Sequence, residues 1–411
     1  MSVAASDNAA PAQQVRIELA DVFARYADGY FGSHATTQTQ RKVARAIVRC
    51  RTAALGGHRE WCRRCGYQRY LYHSCRNRHC PKCQSLAKAS WLENRQRELL
   101  PTPYLHNVFT LPHELNPLLL ASQRNRRALL DLLFRAVADA LLRFGHNNLG
   151  GKVGFTLVLH TWDQQLRAHF HVHGVIAGGA IAEDGRKWLP AGKNFLFPVR
   201  ALSKVFRAKY IETLHQLLDQ NELDLPPPLS GLTTTEGRRR WLRLLRRKAW
   251  VVYSKAPFAG PQKLLDYLGR YTHRVAISNH RLLSCDDGQV RFTYRDRSNG
   301  DRRKIASLSA EEFLRRFLLH VLPPGFMRIR HYGFLANRAK RNCLAQCREQ
   351  LGAPAPEPAE AKTVAEWIRD LTGIDITHCP HCGAPLEREE FSPLRLQLPR
   401  PPPSLTYYDT S

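Results

Sequence analysis

A chain of 411 residues with 43% hydrophobic residues can bury a large core, as one big domain with satellites or as two to three domains. No run of about 18 apolar residues is present, which argues against a membrane-spanning helix, and MSVAASDNAAPAQQ lacks the basic-then-apolar order of a leader, so the cytoplasm is the expected compartment. With 62 Lys and Arg against 35 Asp and Glu, a net charge of +27, the expected partner is a polyanion, nucleic acid first, although membrane-surface binding has the same electrostatic signature.

Residues 1–12 read as a disordered tail. Val15, Ile17, Leu19, Val22, Phe23 and Tyr26 repeat at roughly helical spacing over 13–30, and a second helix is predicted over 39–55, closed by Gly56-Gly57. The chain has eleven cysteines, an odd number, several in close pairs, which in this context suits metal sites better than disulfides. Cys62-x2-Cys65 and Cys80-x2-Cys83 are two knuckles, and two such pairs close a tetrahedral structural Zn²⁺ site. Spacing leaves Cys75, His58, His73 and His79 as spare donors, for a replaced ligand or a second ion. Arg63, Arg64, Arg76 and Arg78, set among Trp61, Tyr67, Tyr70 and Tyr72, can grip phosphates and stack on bases. A structural module with solvated charges has the same composition.

A helix is predicted over 85–100, a core strand over 104–111 and an amphipathic helix over 122–144, before Gly150-Gly151 resets the chain. KVGFTLVLH (152–160) reads as a buried strand and AHFHVHGVIA (168–177) as its antiparallel neighbour. Residues two apart on a strand share a face, so His171 and His173 point together with Val172 opposite, a start for a divalent metal site. Alone, the pattern equally describes a strand with a wet polar face. His160 is placed to join the pair as a third ligand, with Asp163 and Gln165 as rivals. Such a three-donor site keeps positions open for phosphate oxygen and water, as catalytic sites do.

Residues 200–220 read as a helix, 224–237 as a loop and 238–255 as a very basic helix, whose cations suit a solvated face or a nucleic-acid groove. Gly260 and Pro261 read as an N-cap and first helical residue. Leu264, Tyr267 and Tyr271 then follow on one helical stripe, the tyrosines one turn apart, a spacing that core packing also produces. Gly269 between them weakens a helix by about 1 kcal/mol, which hints at a close approach there. Strands are predicted over 275–278 and 290–296, and Ser309 with Glu312 opens a helix over 310–321. Residues 325–350 are basic and 351–361 form a Pro/Ala/Glu linker. Cys379-x2-Cys382 is another knuckle, for which Cys343 and Cys347 are candidate partners, His378 or His381 being alternatives, as is no metal. The tail from about 396 is proline-rich and loose.

Several stretches together resemble the HUH-endonuclease transposases of rolling-circle insertion sequences, the insertion sequence 91 family. They are SCRNRHCPKCQ (74–84), NVFTLPHEL (107–115), HVHG (171–174), YLGRYTHRVAISNHRL (267–282) and EEFLRRFLLHVLPPGFMRIRHYGFLANR (311–338). The resemblance implies an α+β fold: an antiparallel HUH-nuclease sheet with flanking helices, a small N-terminal zinc-binding domain and a basic C-terminal segment. The implied organisation is a helical and zinc-binding, DNA-binding region over 13–100, a catalytic domain over 101–322, and a C-terminal region over 323–395 before the tail 396–411. It implies that His171 and His173, with His160 as third ligand, hold Mg²⁺ or Mn²⁺ at the scissile phosphate of single-stranded DNA at element ends and target. Tyr267 and Tyr271 match the two-tyrosine nucleophiles that form 5′-phosphotyrosine links. Arg270 and Arg274 beside them join the expected DNA contacts. His169-Phe170 stands where His-Pro is expected and Gly174 where cysteine is common, which leaves His169 without a role.

Three rivals remain at this level. A replication initiator or conjugative relaxase shares the chemistry but is not expected to carry the zinc segment beside YLGRY. A non-catalytic zinc-ribbon DNA-binding regulator leaves the HVH and tyrosine pair idle. A metal-dependent hydrolase forms no covalent adduct.

Overall fold

The computed structural model describes residues 17–192, 197–255, 258, 263–265, 267, 269, 275–296, 299–358 and 360–393. Tyr271, Arg270, Arg274, Gly260, Pro261 and the tails 1–12 and 396–411 lie outside the described residues. The first part of the chain forms α1 (Leu19–Ser33), α2 (Gln38–Arg49), β1 (Gly57–Trp61), β2 (Gln68–Tyr72), α3 (Ser85–Glu98) and β3 (Tyr104–Thr110). Next come α4 (Asn116–Ala121), α5 (Gln123–Leu149), β4 (Gly151–Trp162), β5 (Ala168–Ala182), β6 (Trp188–Pro190), α6 (Val199–Asp219), α7 (Thr235–Arg247) and β7 (Val252–Lys255). The last part contributes β8 (Leu282–Asp286), β9 (Gln289–Asp296), β10 (Arg302–Ser309), α8 (Ala310–Leu319), β11 (Ile329–Gly333), α9 (Lys340–Gln350), α10 (Val364–Thr372) and β12 (Glu387–Phe391). The fold is α+β, with antiparallel sheets.

The central sheet has the order β11-β4-β5-β3-β7, with β6 on β5. Its period-two alternation decides which face is which. Phe155, Leu157 and Leu159 of β4, Phe170, Val172 and Ile176 of β5, and Leu105 and Phe109 of β3 join the large core with α5 and α6. The opposite parity brings His160, His171, His173 and His106 to the other face. Register pairs His160 with His171, and His173 with Val158 on one side and Val108 on the other. A slip of one residue would turn the histidines into the core, so burial of the apolar face holds them in place.

Helix α5 starts where the Ser122 hydroxyl accepts from the Asn125 N–H (3.1 Å) and ends at Gly150, whose φ of +70° is left-handed. It runs past the predicted end at 144. The basic helix predicted over 238–255 is shorter: α7 stops at Arg247, and Val252–Lys255 pairs with β3 as an edge strand. Trp250 causes the break. Its ring is buried and its indole N–H donates to the Leu245 carbonyl (3.1 Å), while the β-branched Val251 and Val252 favour extended backbone. Residues 275–278, predicted as a strand, are not one; Ala276 and Ile277 are buried in a second core.

That second core joins the β10-β9-β8 sheet and α8 to α1 and α2. Phe23 meets Phe317 edge to face at 5.3 Å, and the Leu19 N–H donates to Asn279 Oδ1 at 3.1 Å. The N-terminal helices thus share a core with residues from 276 to 321, because a two-helix pair cannot bury its apolar stripes alone. The third sheet, β12-β1-β2, brings the C-terminal segment onto the N-terminal module, while β11 belongs to the central sheet.

Three further histidines, the buried His320 and the half-buried His79 and His331, have a consequence for acid stability. Burial, helped by neighbouring cations, pushes His79 down to about 3, His331 to about 4 and His320 to about 4. In the unfolded chain they titrate near the ordinary value of about 6.5. As pH falls below that value, the unfolded state takes up protons that the native state does not, so stability is present above about 6.5 and lost on descent toward 4. Urea denaturation at pH 7.5, 6 and 4.5 is expected to show a loss of several kcal/mol. Equal midpoints across the series would mean that these rings ionise freely in the fold.

Candidate active site and cysteine centres

His160 from β4 and His171 and His173 from β5 form one buried group, with a ligand nitrogen from each within 4.8 Å of the others. The His160 ring meets His173 at 4.6 Å and His171 at 5.4 Å, both edge to face, and stacks on Trp162 at 5.3 Å. His160 and Trp162 are two residues apart on β4, so both rings share that side. His171 donates its Nδ1–H to the His169 carbonyl at 2.9 Å. That bond fixes the tautomer and leaves the Nε2 lone pair available to a cation. His169, without a role in the sequence, acts here through its backbone. Its ring lies 4.7 Å from that of His171.

The group opens into a cleft of about 450 Å³ between the central sheet and β9, with Arg167, Tyr253 and Arg295 among its lining residues. Asp163 and Gln165 line the cleft but stand outside the imidazole group. The Asp163 carboxylate accepts from the backbone N–H of Gln165 (2.8 Å) and from Arg167 Nε (2.7 Å), so it shapes the turn between β4 and β5.

Tyr267 is buried, and its hydroxyl lies 2.7 Å from Nδ1 of His173. The same hydroxyl bonds Nε2 of His106, a β3 residue whose ring stacks parallel to His173 at 5.3 Å. Nε2 of His106 is also 3.0 Å from Nδ1 of His173, so three polar atoms form a triangle. Burial, with Lys255 nearby, pushes His106 down to about 3, which makes it a neutral imidazole. His106 was missed in the sequence. The available signal was a histidine in the apolar run YLHNVFT, on the parity of Val108, which pairs with His173. Gly269 meets the close approach its position suggested: a Cβ there would lie 3.0 Å from Leu92 and 3.3 Å from Lys88 of α3.

The cysteines assemble differently from the expected sets. Cys80 and Cys83 join Cys50 and Cys75, with Sγ separations of 3.3 Å for Cys50–Cys83 and 3.6 Å for Cys75–Cys83. Cys62 and Cys65 do not share that centre; they meet Cys379 and Cys382. The reason is the length of the β1-β2 hairpin. Its base lies beside Cys50 and Cys75, where His73 bonds Gly56 and Arg51 bonds His73, and its tip carries Cys62 and Cys65. At about 3.3 Å per residue, the five-residue strand sets tip and base roughly 15 Å apart. Cys343 and Cys347 lie on α9, in neither group. Cys347 is a core residue beside Phe334 and Leu344, and burial pushes its thiol up to about 12.

Of the expected DNA-contacting arginines, Arg64 and Arg76 are exposed. Arg63 is exposed too, although it pairs with Glu387 at 2.5 Å. Arg78 departs from the expectation. Its half-buried guanidinium donates to the carbonyls of Phe326 (2.6 Å) and Pro323 (3.2 Å), joining the cysteine module to the loop before β11. No helix among the described residues is long and apolar enough to cross a membrane.

Residues 22–111 match the family described as "Transposase zinc-binding domain", and residues 154–343 match the one described as "Putative transposase". The former supports structural zinc binding within 22–111, a stretch that holds Cys50, Cys62, Cys65, Cys75, Cys80 and Cys83. The chain is 48% identical to "Putative transposase y4qJ" of Sinorhizobium fredii over 89% of its own length and 92% of that protein. It is 32% identical to "Transposase for insertion sequence element IS801" of Pseudomonas savastanoi pv. phaseolicola, covering 82% of this chain and 80% of that one. A metal-bound conjugative relaxase TrwC in complex with oriT DNA overlaps 42% of this chain and 71% of its own, at 14% identity and a TM-score of 0.23, too loosely to bear on the fold.

Proposed function

This chain belongs to the insertion sequence 91 family of transposases, and from that premise we propose that it cuts single-stranded DNA at element ends and target and rejoins it through 5′-phosphotyrosine links. The observation that carries the proposal is the Tyr267 hydroxyl, 2.7 Å from a ring of the three-histidine group. A transposase needs to break and remake phosphodiesters, and a phenol held against a cation site is suited to both.

Three buried imidazoles converge, a nitrogen set softer than Mg²⁺ usually takes, so of the two expected ions Mn²⁺ would fit it better, with phosphate oxygens and water as the harder donors. When bound, the ion polarises the phosphoryl oxygens and stabilises charge on the leaving oxygen. His160, His171 and His173 would hold it. With its other nitrogen turned to the cation site, His173 carries a proton on Nδ1 and donates to the phenol oxygen. Tyr267 then donates its own proton to His106. Attack forms the Tyr267 Oη–P bond and breaks the P–O3′ bond. The phenol proton leaves along its hydrogen bond to His106 Nε2 and on to water, since that ring resists charging, and the 3′ oxygen leaves as a hydroxyl with a proton from water. The new phosphotyrosine ester retains the bond energy, so a second 3′-OH reverses the step without ATP. Arg167 and Arg295 attract the backbone, and the half-exposed Tyr253 offers a stacking face.

The test uses single-stranded oligonucleotides from the element's ends, labelled at the 3′ terminus, with protein and Mn²⁺. A labelled adduct stable in SDS is expected, with none after EDTA. Absence of an adduct across all terminal sequences would sink the proposal.

A further inference from the structure

We propose that Cys62, Cys65, Cys379 and Cys382 bind a second zinc ion, distinct from the Cys50, Cys75, Cys80, Cys83 centre, and that it clasps the C-terminal segment to the N-terminal module. The four ligand sulfurs lie within 4.8 Å of one another. Two separations are 3.4 Å (Cys62–Cys382) and 3.5 Å (Cys65–Cys379). Zn–S bonds of about 2.3 Å put tetrahedral sulfurs roughly 3.8 Å apart, so small outward shifts admit the ion.

The two halves are built alike although they lie far apart in the chain. Each is Cys-x2-Cys-Gly. In the first, Gly66 donates to the Cys62 carbonyl (3.0 Å), Cys62 donates to the Tyr67 carbonyl (2.8 Å), and Gly66 is left-handed at φ +74°. In the second, Gly383 donates to the Cys379 carbonyl (2.9 Å), Cys379 donates to the Ala384 carbonyl (2.8 Å), and Gly383 sits at φ +71°. Both turns therefore aim two sulfurs from one tight loop, which is the local geometry of a zinc knuckle. Four sulfur donors in a closed tetrahedron select zinc over harder cations.

The surrounding contacts agree with a clasp. β12 pairs with β1 in register, Arg59 opposite Glu389 and Glu60 opposite Arg388. Arg63 pairs with Glu387, Arg69 donates to the Ile376 carbonyl (2.6 Å), and Phe391 packs on Tyr72 at 6.0 Å. Cys379 and Cys382 lie beyond both family-matched regions, 22–111 and 154–343. The β1-β2 hairpin alone is marginal in water and β12 supplies its third strand, so an ion across the end of the sheet would decide whether the segment stays docked.

The experiment compares zinc content of full-length wild type and variants by mass spectrometry. The Cys379→Ser/Cys382→Ser pair is expected to lose one zinc per chain, and Cys343→Ser/Cys347→Ser to lose none. Unchanged zinc in the first variant, or an equal loss in the second, overturns the proposal. Should the first variant fail to fold, Co²⁺ titration of the wild-type chain decides. The absorption of cobalt bound by four thiolates is expected to saturate at two ions per chain, and saturation at one overturns the second site. A protease site placed between Ala353 and Pro358 tests the clasp itself. After cutting, the C-terminal piece is expected to co-elute with the rest when the cysteines are intact and to leave when Cys379 and Cys382 are serine. Release with the cysteines intact, or retention with them replaced, overturns the clasp.

Discussion

His173→Ala is expected to lower adduct formation by at least about 10³-fold, the scale of a lost catalytic cation. The ring does two things at once. It contributes a nitrogen to the three-histidine group, and its Nδ1 lies 2.7 Å from the Tyr267 hydroxyl. Removing it therefore weakens the cation site and releases the nucleophile. His171→Ala removes a ligand but leaves the Tyr267 triangle in place, so its loss should be partly recovered by raising Mn²⁺, whereas the loss in His173→Ala should not. Adduct yield at increasing Mn²⁺ separates the two. DNA binding, measured by salt-dependent anisotropy, should change little in either variant, because the arginines supply that term. Cleavage within tenfold of wild type would assign the His pair a structural role.

Tyr267→Phe is expected to reduce the covalent adduct by at least about 10⁴-fold, as the loss of a nucleophile does elsewhere. The change also leaves buried polar atoms of His106 and His173 without the hydroxyl, at a stability cost of about 1–3 kcal/mol. Thermal melts must accompany the assay so that the two effects are separated. His106→Phe sharpens the interpretation. The ring volume is kept and the proton acceptor is lost, so the adduct rate should fall and recover in part as pH rises and the phenol ionises unaided. A rate insensitive to pH would make His106 a packing residue only. If the adduct survives Tyr267→Phe, the nucleophile of the assayed step is the neighbouring Tyr271.

Much of the site was legible in one dimension because strands have a two-residue period. HFHVHG places His171 and His173 on one face whatever the rest of the fold does, and KVGFTLVLH places His160 on the wet parity of a neighbour joined by a short turn. Cys-x2-Cys announces a knuckle for the same local reason. Charge and composition pointed to a polyanionic partner, since a field of that size does not depend on the fold.

What only the tertiary structure decided are pairings between distant segments. Nothing in a Cys-x2-Cys spacing says which second pair completes the tetrahedron. The closing partner of Cys62 and Cys65 is set by a five-residue hairpin that carries them away from Cys80 and Cys83, toward Cys379 and Cys382. The cost of closing so long a loop grows only with the logarithm of its length, so nearness in sequence is a weak guide. His106 escaped for a related reason: one histidine in an apolar strand carries no periodic signal until register sets it diagonally from His173. Trp250 turned the end of a predicted helix into the edge strand β7 through a buried ring and one indole hydrogen bond, a tertiary preference stronger than helix propensity. Local periods thus determined which side chains face together, and long-range burial determined which of those faces meet.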